Sequence, residues 1–178
     1  MIDQIFDDCK KQLTEALKHK KHAFRFFTLA TRNLNGNSNL RTVVLRDFDR
    51  EQLHFTIFTD ARSKKVKELK ENSNAQFLFY DSKRMIQLIF NVKMIEIDYD
   101  DSIYNSLPDS SKKDYSSIQI PGSKIKGPDQ VSYDDSKNHF IKINFKSLSL
   151  EYLRLKRPNH IRAVFDSNKS WKGQFLAP

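Results

Sequence analysis

Leu40-Arg41-Thr42-Val43-Val44-Leu45-Arg46 and, after a short polar turn, Leu53-His54-Phe55-Thr56-Ile57-Phe58-Thr59-Asp60-Ala61-Arg62-Ser63-Lys64-Lys65 are the stretches that decide the fold. Both runs carry the β-branched and aromatic residues that strands favour. In the second, Leu53, Phe55, Ile57 and Thr59 recur at every other position and share one face. The period then changes to that of a helix over 61–71, with Val66 and Leu69 as its inner stripe and Asp60 as its cap. A strand that passes straight into a helix start presents unpaired N–H groups and the positive end of the helix dipole. Arg62, Lys64 and Lys65 lie within one turn of the Thr59 and Ser63 hydroxyls, which makes the junction a candidate phosphate site. A solvated basic helix start carries the same residue types.

Upstream, residues 2–20 form an amphipathic helix with Ile2, Ile5, Phe6, Cys9, Leu13 and Leu17 on one stripe. Residues 23–31 read as a strand, 33–39 around Gly36 as a turn, and 40–48 as the hairpin partner. Downstream, 75–80 and 85–97 read as strands joined at Asp81-Ser82-Lys83, and 98–107 as a short helix headed by an aspartate cap cluster. Residues 108–137, rich in Ser, Asp, Lys and Pro, read as a long surface excursion. Strand signals return at 139–145, 148–155, 160–165 and 171–175. Seven or eight strands with few helices argue for one mainly β domain over 1–178, an antiparallel barrel with flanking helices.

Composition narrows the function classes. A chain of 178 residues can bury a sizeable core, and 14 Phe and 6 Tyr supply bulky material for it. The net charge of +9 favours anionic partners: nucleic acid, an anionic membrane, or a phosphorylated small molecule. The lone Cys9 excludes an internal disulfide and a Cys-only zinc site. Only four glycines are present, so neither G-x-G-x-x-G nor a Walker loop can exist. The five histidines lack metal-ligand spacing, and no metal site is expected. No signal-peptide pattern and no long apolar run is evident, so the expectation is a cytoplasmic protein.

Three further residues are candidates for chemistry. Arg41 and Arg46 are five apart on a strand and therefore point to opposite faces. One could reach a phosphate and the other a substrate, or both could be edge-strand charge. Gln87, within Met85-Ile86-Gln87-Leu88-Ile89-Phe90, needs a partner if buried. That partner could be the polar edge of a ring or a neighbouring backbone group.

Taken together, Arg41-Thr42-Val43-Val44-Leu45-Arg46, Phe58-Thr59, Ser63-Lys64-Lys65 and Gln87 resemble the flavin mononucleotide (FMN) site of the pyridoxamine 5'-phosphate oxidase family. The wording is closest to a related branch of FMN-binding proteins. Trp171 before Leu176-Ala177-Pro178 is similar to that family's C-terminus. The resemblance implies a split β-barrel homodimer with FMN at the interface and a small-molecule substrate; the lack of a long apolar run argues against a membrane partner, and the lack of an RNP1 motif argues against nucleic acid. It implies that Arg41, Thr59, Ser63, Lys64 and Lys65 hold the phosphate and ribityl chain. It also implies that residues 42–45 and Gln87 contact the ring, and that Arg162 of the second chain completes the pocket. In the oxidase, a Lys, a Tyr, an Arg and a Ser hold the substrate's phosphate. They fall here on Arg46, Ile103, Leu107 and Ser111, so the Tyr and Arg are replaced. An Arg-x-His pair becomes Pro158-Asn159-His160, leaving His160 as the candidate catalytic residue, and a flavin-bordering Trp becomes Leu153. The resemblance thus implies an FMN-dependent oxidoreductase with altered substrate specificity. The alternative is a non-catalytic flavin or phosphorylated-ligand binding protein.

Overall fold

Strict alternation of buried and exposed residues builds the sheet, and it is clearest in β5 (Asn74–Asp81), where every second side chain is buried. In this computed structural model, which describes every residue except Leu34, nine antiparallel strands form one continuous sheet. The others are β1 (Phe26–Arg32), β2 (Ser38–Val44), β3 (Asp47–Asp49), β4 (His54–Asp60), β6 (Ile86–Asp98), β7 (Phe140–Arg154), β8 (Ile161–Asp166) and β9 (Gly173–Leu176). The main path runs β2-β1-β5-β6-β7-β4-β3, and β8 and β9 extend from the second half of β7. Among the described residues, β2 is hydrogen-bonded only to β1, so one of its edges is unpaired. This free edge and β4 bound the gap of a split barrel.

The inward face is packed with rings. Phe24, Phe55, Phe77, Phe79, Phe90, Phe145 and Phe165 are all essentially inaccessible. Phe55 meets Phe90 edge-on with centroids 4.9 Å apart, a favoured geometry for ring quadrupoles. Helix α1 (Ile2–Lys18) buries Cys9, Leu13 and Ala16 against this core, and Phe6 stacks on Phe165 and Trp171. Burial pushes the Cys9 thiol far above its ordinary value, which makes it an inert packing group.

Several expectations need correcting. The predicted strand over 40–48 breaks after Val44, and Asp47–Asp49 becomes a separate short strand on β4. The two strands expected at 139–145 and 148–155 are one, because the polar Lys146-Ser147 step is not a turn. Ser147 is buried, and its hydroxyl donates to the Leu53 carbonyl at 2.7 Å. Helix α2 spans Lys64–Glu71 rather than 61–71, with Ser63 at its N-cap position. Asp60 does not cap it; its carboxylate accepts from the Arg62 N–H at 2.8 Å. Residues 98–139 contain two short helices, α3 (Asp101–Ser106) and α4 (Asp109–Lys113), and Asp100 caps α3 as expected.

The junction of α1 with β1 carries a titratable lock. His22 Nδ1 accepts the Phe24 N–H at 3.1 Å, and its Nε2–H donates to Gln12 Oε1 at 3.2 Å. Only the neutral ring satisfies both bonds. Burial, then the nearby Arg84 charge, lowers the His22 pKa from 6.5. The unfolded chain therefore takes up the proton first, so stability is complete above that value and declines as pH falls through the folded one. Denaturation midpoints should drop as pH falls below about 6.5, and His22→Gln should remove that part of the slope.

Candidate functional site

The end of β4 and the start of α2 form a compact polar cradle. Thr59 and Ser63 are buried with their hydroxyl oxygens 3.4 Å apart. Lys65 Nζ donates to Thr59 Oγ1 at 2.8 Å and to Ser63 Oγ at 3.3 Å. Ser63 makes no side-chain cap bond, so its hydroxyl leaves the first N–H groups of α2 to another acceptor. Burial, then the Arg41 charge, lowers the Lys65 pKa from its ordinary 10.5. Lys64 is exposed on the same turn. Neither lysine has a carboxylate partner among the described residues.

The two arginines expected here are engaged differently. Arg62 donates to both Asp60 oxygens, including an ion pair of 2.6 Å, and to the Ser117 carbonyl at 2.9 Å. Its guanidinium therefore ties the 98–139 excursion to the strand end and is not free for a phosphate. Asp60 wins because it is buried beside Arg62 and would otherwise be an uncompensated charge. Arg41 lies on the inward face of β2, opposite Leu29, and pairs with Glu68 of α2 at 2.9 Å. Glu68 also accepts from the Thr31 hydroxyl and the Asn39 amide, so it clamps β1 and β2 to α2. Glu68, Thr31 and Asn39 were not among the sequence candidates. Thr42, Val43 and Val44 lie on the edge strand with Arg41, and Leu45 is buried just beyond it.

On the other side of β4, Arg46 places its guanidinium 5.4 Å from the Phe58 ring centroid. Phe58 packs on Phe140 at 5.0 Å, and Phe140 on Tyr115 at 5.1 Å and Tyr104 at 5.7 Å. Arg46 has no carboxylate partner among the described residues, and its charge lies near Arg25, whose pKa burial and then Arg46 lower. Burial raises the Tyr115 pKa, against the nearby Arg46 charge. Tyr115, buried in the excursion, was missed because nothing local in the sequence links it to Arg46. Ser111 sits on α4 beside a cavity of about 780 Å³ lined by Tyr104, Lys112, Lys113 and Tyr133 among others, across the aromatic cluster from Arg46.

Gln87 and Arg162 form a third group. The strand registers align Tyr80, Gln87, Leu153, Arg162 and Leu176 in one row across β5, β6, β7, β8 and β9. This row is on the outward face, opposite in parity to Leu29, Arg41 and Phe77. Gln87 lies opposite Leu153 of β7, whereas Thr59 of the cradle lies opposite Ile141, twelve positions away along the same strand. One chain therefore does not bring Gln87 to the phosphate cradle. His160 is exposed in the β7–β8 turn, where its Nδ1 accepts the Lys156 N–H at 3.1 Å.

A cradle of one desolvated ammonium, two hydroxyls and a free helix start, beside an unpaired strand edge, suits a phosphorylated planar ligand. Residues 7–95 match the family model described as pyridoxamine 5'-phosphate oxidase, FMN-binding domain. The chain belongs to that family. FMN is the cofactor that goes with it, and the cradle fits FMN's phosphate. Pyridoxine/pyridoxamine 5'-phosphate oxidase 2 of Arabidopsis thaliana is 37% identical over 84 residues, which cover 47% of this chain and 42% of that protein. The corresponding oxidase of Nostoc sp. is 29% identical over 109 residues, covering 60% of this chain and 50% of that one. The chain thus spans about half the length of these curated relatives. Among solved structures, a pyridoxamine 5'-phosphate oxidase-related, FMN binding protein from Nostoc punctiforme superposes with a TM-score of 0.75 at 18% identity, covering 96% of both chains. PhzG from Burkholderia lata, solved with tetrahydrophenazine-1-carboxylic acid, also gives 0.75, at 16% identity over 96% of this chain and 90% of that one. At these identities they establish the split-barrel fold. Among the described residues, no helix is long and apolar enough to cross a membrane.

Proposed function

We propose that this protein is a cytoplasmic, homodimeric FMN-dependent oxidoreductase whose substrate differs from that of pyridoxamine 5'-phosphate oxidase. The observation that carries this reading is the Lys65–Thr59–Ser63 cradle beside the unpaired edge of β2. Lys64, Lys65, the two hydroxyls and the start of α2 hold the FMN phosphate, with Arg41 adding charge from behind. Backbone groups of Thr42, Val43 and Val44 offer the polar edge of the ring its hydrogen bonds. FMN supplies the redox chemistry, while the chain binds, orients and tunes it.

The outward face supports the dimer. Phe26, Leu40, Leu78, Tyr80 and Leu176 are exposed on it, a large apolar area for a free surface. A second copy laid on this face covers it and brings Gln87, Leu153 and Arg162 to the first copy's flavin. Arg46, near Tyr115 and lacking a carboxylate, is the group that receives an anionic substituent of the substrate. Arg and Lys differ in geometry, and Ile103 and Leu107 offer no polar group, so pyridoxamine phosphate is not the expected best substrate. In this reading His160 orients the substrate or moves a proton.

The purified protein should be yellow with FMN, be bleached by an acid-bearing amine or alcohol whose two electrons the flavin takes up, and regain its colour as dioxygen in air reoxidises it. Flavin binding without turnover across such a panel would favour the carrier reading instead. A colourless protein after FMN addition and dialysis removes both. FMN affinity should also fall as pH rises through the lowered Lys65 pKa, beginning below pH 10.5. The sign follows because bound phosphate favours the protonated ammonium.

A further inference from the structure

We infer that Glu151 is a positioning residue that sets the charge Arg162 presents to the flavin of a second copy. This rests on the proposed placement of Arg162 at that flavin. Glu151 of β7 and Arg162 of β8 are diagonal neighbours on the outward face, since Glu151 lies opposite Val164 and Leu153 opposite Arg162. Arg162 Nε donates to Glu151 Oε1 at 3.1 Å and Nη2 to the same oxygen at 2.9 Å. One carboxylate oxygen thus fixes one side of the guanidinium and leaves its Nη1 donors pointing away from the pair.

The surroundings make this pairing consequential. The flanking positions on the two rows are Tyr80, Gln87, Leu153 and Leu176, then Leu78, Ile89, Val164 and Gln174, none of them charged. When a second copy covers this face, an unpaired arginine there would bear a large desolvation cost, and the carboxylate offsets it. The consequence is electrostatic. A lone cation at the flavin edge favours the reduced, negatively charged form over the neutral oxidised one. A cation with its carboxylate attached favours it much less. Glu151 therefore holds Arg162 in place for hydrogen bonding while restraining the potential that Arg162 would otherwise impose.

The test uses FMN-loaded protein and spectroscopic redox titration against a reference dye, together with FMN titration of the apoprotein. Glu151→Gln keeps an acceptor for Arg162 but removes the charge. It should raise the midpoint potential, with the ratio of reduced to oxidised FMN affinity growing about tenfold, or ~30 mV for a two-electron couple. Arg162→Ala should lower the potential and weaken FMN binding. If Arg162→Ala moves neither quantity, the placement of Arg162 at the flavin is wrong. If Arg162→Ala acts but Glu151→Gln leaves the potential unchanged, even while altering the melting temperature, Glu151 has only a structural role and the inference falls.

Discussion

Lys65→Ala is expected to weaken FMN binding by about one to two orders of magnitude while leaving the barrel folded. A hydrogen bond to a charged group is worth roughly 1.5–3 kcal/mol, and about 1.4 kcal/mol corresponds to a tenfold change in affinity. Lys65 is the cation to remove because the alternatives are engaged: Arg62 is paired with Asp60 and Arg41 with Glu68. Its ammonium already costs the fold something, since burial lowers its pKa. Truncation leaves Thr59 and Ser63 able to bond each other. Lys64→Ala should have a smaller effect, because its exposed charge is screened by solvent. Fluorescence titration of apoprotein with FMN measures the loss, and riboflavin, which lacks the phosphate, is the control. Equal weakening of riboflavin, or no weakening of FMN, would remove the phosphate from this cradle.

What the sequence made legible here was local period and local charge. Alternation at Leu53, Phe55, Ile57 and Thr59 fixed the inward face of β4, and all four are buried. The Ser63-Lys64-Lys65 run marked the helix start that carries the cradle. What stayed hidden was the choice among competing partners. Arg62 and Lys65 look equivalent in sequence, yet Asp60 takes the first and two hydroxyls take the second. The strand signal lapsed at Lys146-Ser147 because the partner of Ser147, the Leu53 carbonyl, is far away in the chain. The 139–155 strand continues through that point as β7 passes from pairing with β4 to pairing with β8. Gln87 was placed on the right strand, but parity and strand distance, not residue type, put it with Arg162 rather than Arg41. Glu68 left no local signal at all, since a glutamate in Lys-Lys-Val-Lys-Glu-Leu-Lys-Glu reads as one more solvated charge.

That glutamate bears the second large effect. Glu68→Ala should destabilise the protein by about 3–5 kcal/mol, the usual consequence of breaking a buried ion pair from one side. Glu68 is 7% exposed and Arg41 22% exposed, so solvent cannot readily replace the lost carboxylate. The Thr31 hydroxyl and Asn39 amide lose the same acceptor, which loosens α2 from β1 and β2 together. For a chain of this size, 1 kcal/mol corresponds to about 2–4 °C of melting temperature, so a drop of roughly 6–20 °C is expected by calorimetry. Burial alone would raise the Glu68 pKa, but the bonds from Thr31, Asn39 and Arg41, with the Arg41 charge, hold it below 4.5. A depressed folded value means that the stabilisation is present above the unfolded pKa and is lost as pH falls through the folded one. Glu68→Ala should therefore lose most stability at neutral pH and differ less from the parent protein in strong acid. A constant difference down to about pH 2 would mean that cavity formation, not the charge, accounts for the loss. Because α2 also carries the phosphate cradle, the variant should bind FMN less tightly. Glu68→Gln, which keeps an acceptor for Arg41, should recover part of both losses.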